Sequence, residues 1–211
     1  LATIPDWYDE MHGAYARNVG RILVGRRFTQ EQDADESAMV PGYDFTVARV
    51  KRRFLAQSYV GAVVTRRAER GSGAPDRHTA GVDFELATSR LRGSQNLEFN
   101  GFFLWNTNPL DMGRNAGYGI RLSYPNDLWN ARMSFREIQE HYDPAVGFTQ
   151  RLGYRRYNPV VRFAPRPARS AVRQYAFETH LDLQTDTHNR LLTRKWDFTI
   201  LQANFHSGDE V

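Results

Sequence analysis

An all-β chain, and within that class an antiparallel up-and-down β-barrel of the outer-membrane type, is what three features of the sequence predict. Apolar and polar residues alternate with a period of two through one run after another, the mark of strands with two unlike faces. Many runs approach ten residues, about the length a tilted strand needs to cross a bilayer. No stretch approaches the roughly 18 consecutive apolar residues of a spanning helix, an absence that leaves barrel strands open because they hide their apolar residues in alternation. With 13% aromatics and a mean hydropathy of −0.61, the chain is too rich in strand formers for a disordered polymer and too polar for a helical membrane protein.

The run at 115–124 is the clearest. Ala116, Tyr118, Ile120, Leu122 and Tyr124 fall on one face, and Asn115, Gly117, Gly119, Arg121 and Ser123 on the other. A helix would scatter both sets around its axis. At 78–87, Ala80, Val82, Phe84 and Leu86 oppose Thr79, Gly81, Asp83 and Glu85. At 95–106, Leu97, Phe99, Phe103 and Trp105 oppose Asn96, Glu98 and Asn100. At 129–136, Trp129, Ala131, Met133 and Phe135 oppose Asn130, Arg132, Ser134 and Arg136. At 173–183, Tyr175, Phe177, Leu181 and Leu183 oppose Gln174, Glu178, His180 and Asp182. The run at 195–205 alternates less cleanly, with Trp196, Phe198 and Ile200 against Lys195, Asp197 and Thr199.

Turn signals separate the runs. Residues 70–76 (Arg-Gly-Ser-Gly-Ala-Pro-Asp) form a flexible loop, 106–115 a second, Pro125-Asn126-Asp127 a tight turn and 185–189 the last hairpin turn. Alternately short and long connections are usual in membrane barrels. Toward the start, 6–17 reads as a short helix or loop, 19–28 as a strand and 29–37 as an exposed acidic loop. Roughly nine or ten strands are expected by these signals, in a single domain over residues 1–211. With Leu1 first and Val211 just past a strand-like run, the chain reads as a piece of a longer barrel.

Alternation alone fits two architectures. A soluble barrel or sandwich turns its apolar face inward, and an outer-membrane barrel turns it toward lipid around a hydrated interior. Strand length favours the membrane version. So do Trp105, Tyr118, Tyr124, Trp129 and Trp196 near strand ends, where headgroup-level aromatics sit, and polar faces that mix acids, arginines, Asn and Gly. On this reading Val82, Phe84, Tyr118, Ile120, Leu122 and Phe177 face lipid, and Asp83, Glu85, Glu98, Arg121, Arg132, Arg136, Glu178, His180 and Asp182 face the lumen. The alternatives are a soluble β-barrel or sandwich that binds a ligand or carbohydrate, and a barrel hydrolase.

The chemistry-bearing residues give no enzyme signature. Cysteine is absent, so there is no disulfide framework and no thiolate site. The loop at 71–73 lacks the Gly-Lys-Ser/Thr ending of a phosphate loop, and no nucleophile elbow, zinc-helix motif or calcium loop occurs. Glu178, His180 and Asp182 recur at every second residue, a pattern that could bind a metal or act as acid and base. Their spacing of roughly 6.5–7 Å along a strand is too wide for one ion, so a wetted face is the better reading. Asp83, Glu85 and Glu98 are expected to answer Arg121, Arg132 and Arg136 in a field that either selects ions or makes a polar interior tolerable. Arg49, Arg52, Arg151, Arg155 and Arg156 read as charges near turns, solvated or touching lipid phosphates. The net charge is +4, but the arginines are interspersed with acids, unlike a clustered nucleic-acid footprint. No cofactor, metal or nucleic acid is expected. The expected partners are outer-membrane lipid, glycans and the remainder of the barrel.

A family resemblance attaches to particular residues. Residues 43–52 (YDFTVARVKR), then 59–63 (YVGAV) and 80–84 (AGVDF), look like three successive strands of a known barrel. Residues 142–151 (YDPAVGFTQR), continuing to 154–157 (YRRY) and 165–167 (PRP), are similar to its "fnPavGFvpR" signature. The family is the outer-membrane barrel domain called domain of unknown function 5916, in which the barrel usually follows a carbohydrate-binding, family 9-like domain. The resemblance spans roughly residues 19–211. It implies a bacterial outer-membrane barrel with a link to glycans and carries over no catalytic residue.

Overall fold

The computed structural model describes residues 23–24, 28–29, 43–69, 73–107, 113–147, 149–168 and 171–211. The reading at 6–17 lies outside these, as does the loop expected at 29–37 except Thr29, which belongs to a strand, and so do 19–22 and 25–27 of the strand expected at 19–28. Two short strands, β1 (Leu23–Val24) and β2 (Phe28–Thr29), both pair with the first long strand. Nine long strands follow: β3 (Tyr43–Leu55), β4 (Ser58–Glu69), β5 (Arg77–Leu91), β6 (Gln95–Asn106), β7 (Ala116–Pro125), β8 (Trp129–Ile138), β9 (Tyr154–Phe163), β10 (Val172–Asp186) and β11 (Leu191–Phe205). They form one antiparallel sheet in chain order, a meander whose hydrogen-bonded path ends at β1 and β11. Among the described residues no pairing joins those ends into a closed barrel.

Six of these strands are the six alternating runs. The expected boundaries at β6 coincide with those found, and β5, β10 and β11 extend further. β3 and β4 contain the stretches that carry the family resemblance. β9 was not visible as alternation: Arg155, Arg156, Asn158 and Pro159 break the pattern on both faces. The connections at 56–57, 92–94 and 126–128 are short and those at 70–76, 107–115 and 139–153 long; of these the loop at 70–76, the one at 106–115 and the tight turn at 125–127 were expected. The pattern then reverses, with 164–171 longer than 187–190.

Local chemistry sets the turns. Asp127 and Leu128 form a two-residue hairpin loop, closed by the Asn126 amide bonding to the Trp129 carbonyl at 3.2 Å. At 187–190 the Asp186 carboxylate accepts from the amides of His188 and Arg190, both at 2.8 Å. Asn189 there adopts φ +65°, a conformation asparagine tolerates better than most residues.

The chain groups into two compact units. The first comprises 1–84, 102–118 and 138–153, and the second 85–101, 119–137 and 154–211. In the first, Val60, Val64, Val82, Phe103 and Trp105 are exposed on the apolar faces of their strands. Tyr59, Gly61, Val63, Thr79 and Asp83 on the opposite faces are buried. In the second, Ile120, Leu122, Trp129, Met133 and Phe177 are exposed, whereas Arg121, Ser134, Arg136, Arg156, His180 and Asp182 are half-buried.

Among the described residues the outer edge of β11 is taken up at one end only. Beyond Phe205 the chain reverses at residues 206–208, and Ala203 and Val211 exchange backbone hydrogen bonds of 2.7 and 3.0 Å. Along the rest of that edge Phe198 and Ile200 are 65% and 84% exposed.

Candidate functional site: the polar face of the sheet

In the first unit the polar face is built around one ion pair and one folded-in connection. Arg49 of β3 donates from Nη2 to both carboxylate oxygens of Asp83 on β5, at 2.9 Å each. Their side chains are only 10% and 11% exposed. A buried carboxylate requires such a partner, because the desolvation of an isolated charge is costly. Gly61 of β4 makes room for it: a Cβ there would stand 2.6 Å from Asp83 Oδ1. Beside it, Lys51 places Nζ 3.3 Å from the centre of the Tyr59 ring, a cation–π contact.

Thr79, Asn106 and Gly117 on β5, β6 and β7 receive the β8–β9 connection. The Ala145 amide donates to Thr79 Oγ1 at 2.8 Å and the Asp143 amide to Asn106 Oδ1 at 3.2 Å. Arg77 pairs with Asp143, and Arg114 with Glu140 at 2.8 Å. Gly117 leaves space for Ile138 and the Tyr142 ring. Ile138, Tyr142 and Ala145 are at most 2% exposed. Burial drives the Tyr142 phenol above its ordinary range by disfavouring the charged form. The motif at 142–151 thus supplies a small apolar core on the polar side of the strands; within it Phe148 lies outside the described residues.

In the second unit the polar faces of β8 to β11 carry a lattice of charges. On the other face, alongside Phe135 and Tyr157, Arg155 donates to the buried Glu137 at 2.6 Å. Arg156 holds Asp182 through two parallel bonds of 2.8 Å. Arg162 lies 3.7 Å from Glu178. His180 contacts the Asn158 amide through Nε2 at 2.7 Å and Asp197 through Nδ1 at 3.6 Å. Lys195 reaches the same Asp197 at 3.0 Å. Glu178, His180 and Asp182 therefore share a face, but each is engaged by a different partner. Among the described residues no group of three His, Cys, Asp or Glu side chains converges on one point.

Several expectations about partners change. Asp83 is answered by Arg49, 34 residues away, instead of Arg121, Arg132 or Arg136. Arg49 is a half-buried mid-strand residue and not a charge near a turn. Arg155 and Arg156 lie inside β9 and pair with Glu137 and Asp182. Glu98 and Arg132 are exposed and Glu85 half-buried. Of the residues expected on the apolar side, Val82, Ile120, Leu122 and Phe177 are exposed, and Phe84 and Tyr118 half-buried. Arg49 and Glu137 were not marked as site residues. For Arg49 the Arg/acid placement on alternate positions was the signal, but it does not reveal register between strands; Glu137 falls at an apolar-face position of its strand, where alternation gives no signal.

No family model, curated protein or solved structure matches this chain.

Proposed function

We propose that the chain is part of a bacterial outer-membrane β-barrel, whose apolar faces meet lipid and whose polar faces line a hydrated interior for the passage or binding of solutes, glycans among them. One observation carries this. Among the described residues many large side chains of the alternating apolar faces are exposed, Val60, Val82, Phe103, Ile120, Leu122 and Phe177 among them, whereas the opposite faces hold paired charges and the packed β8–β9 connection. A soluble sheet has the reverse need: its apolar face must be buried against a second layer.

Strand lengths of 10 to 15 residues in the nine long strands support a span of the bilayer, which takes about 9–11 tilted residues. In the second unit Trp129, Phe163 and Phe177 line up across β8, β9 and β10, with centroids 4.5 and 6.3 Å apart. The row lies beside the 126–128 turn, where an interfacial aromatic girdle belongs. The open edge of β11 is a liability in water, and a barrel removes it by pairing with another strand. The resemblance of 142–151 to an outer-membrane barrel family points the same way.

The test is fluorescence of the full chain in liposomes containing brominated lipid, with Trp129 retained and the other tryptophans changed to Phe. The reading expects quenching strongest for bromines near the headgroups. An unquenched Trp129 in a chain that stays in the aqueous phase would overturn it.

A further inference from the structure

We infer that Arg121, Arg136 and Arg156 form an oxyanion site on the polar face of the second unit, for a small solute bearing a phosphate or carboxylate group. The inference deepens the reading above, since it rests on that face being hydrated.

Register brings the three together. The bonds from Gln139 to Ala116 and from Asn126 to Trp129 put Gly119 opposite Arg136 and Ser134 opposite Arg121 across β7 and β8. Across β8 and β9, the Ala164–Leu128 bond and the Phe135–Tyr157 ring pair put Arg136 directly opposite Arg156. Like charges directly opposite one another destabilise a sheet, so this arrangement needs a counter-charge.

The protein supplies only part of it. Asp182 takes up the fork of Arg156. Arg136 lies within electrostatic range of Tyr154, Arg121 and Arg156. The other acids nearby are engaged elsewhere: Glu137 on the opposite face with Arg155, Glu178 with Arg162 and Asp127 with Arg166. Among the described residues neither Arg121 nor Arg136 has a carboxylate within ion-pair distance. Two half-buried guanidiniums are thus left without an acid, at a depth where salt screens less than at the surface. A guanidinium stays charged at any working pH and offers a planar fork that matches an oxyanion. Gly119 adds no side chain to compete for the space, and Ser134 adds a hydroxyl to the same face.

Calorimetry and thermal unfolding of the full chain in mild detergent test this, with inorganic phosphate and acetate titrated separately against chloride at matched ionic strength. The site predicts that phosphate or acetate binds and raises the unfolding temperature. Arg121→Gln with Arg136→Gln weakens that binding about tenfold or more, the loss of at least one charged hydrogen bond. The same double variant unfolds at a higher temperature than the parent in anion-poor buffer, because the repulsion is gone. Asp182→Asn frees Arg156 and tightens binding several-fold, and Arg132→Gln changes nothing. Equal affinity in the parent and the double variant would overturn the site. So would a double variant that is less stable in anion-poor buffer, which would make the arginines structural. Binding by a chain that does not enter bilayers would keep this site and overturn only the membrane reading.

Discussion

A methyl group at position 61 would stand 2.6 Å from Asp83 Oδ1, and Asp83 is tied to Arg49, so it has little freedom to yield. Gly61→Ala is therefore expected to destabilise the protein by about 1–3 kcal/mol, the usual cost of overpacking. The loss should largely disappear in Gly61→Ala with Asp83→Gly and Arg49→Gln, where the crowded pair is gone; denaturant unfolding checks both. At Ile120 and Arg121 adjacent residues occupy opposite faces. If the proposed lipid-facing assignment holds, Ile120→Arg should cost roughly 2–4 kcal/mol, whereas Arg121→Ala should be mild, as read in a refolding assay in liposomes. Equal tolerance would contradict the face assignment. These faces were legible in the sequence because alternation is a property of one strand. The pairing of Arg49 with Asp83 was not, because it depends on how strands 34 residues apart in the chain are brought together.

Connections carry much of the specificity at the level of elements. The β8–β9 connection folds onto the polar face, where Tyr142 is 2% exposed. Removing a buried aromatic side chain costs about 3–5 kcal/mol in a packed core. Tyr142→Ala should therefore release this connection, raising proteolytic cleavage within 139–153 while the β-sheet circular dichroism persists. Unchanged cleavage would mean the ring does not hold the segment. At the β7–β8 turn, two hydrogen bonds of 2.7 and 2.6 Å from Arg166 hold the Asp127 carboxyl below its ordinary value. A lowered carboxylate pKa contributes stability that is present above the unfolded value near 3.9 and is lost as pH falls through the folded one. Protection of the amides in residues 126–129, relative to their intrinsic exchange at each pH, should accordingly fall only below about pH 4, and Asp127→Asn should abolish that pH dependence. The turn signal at 125–127 was readable from Pro, Asn and Asp. The packing of 142–145 was not, since Tyr142 and Ala145 belong to no periodic run, and β9 was hidden by polar residues and Pro159.

For the whole molecule, the sequence-level expectation of an all-β, up-and-down arrangement meets a nine-strand antiparallel meander with two short strands added at one edge. Strand order was legible because each run is separated from the next by a recognisable turn, so consecutive strands pair. Closure was not, because closing a sheet depends on what pairs with β1 and β11, and alternation says nothing about that. The membrane reading and its soluble competitor differ in one physical respect, the medium that meets the apolar face.

The absence of cysteine makes that respect measurable at two neighbouring positions. Leu122→Cys and Ser123→Cys, placed separately in the full-length protein in cells, are each exposed to a membrane-impermeant, water-soluble thiol reagent and read by mass shift. The membrane barrel predicts that Ser123→Cys reacts while Leu122→Cys is protected until detergent dissolves the bilayer. A protein that is soluble without detergent, with Leu122→Cys still protected in mild detergent, would contradict it and make the apolar face an ordinary core.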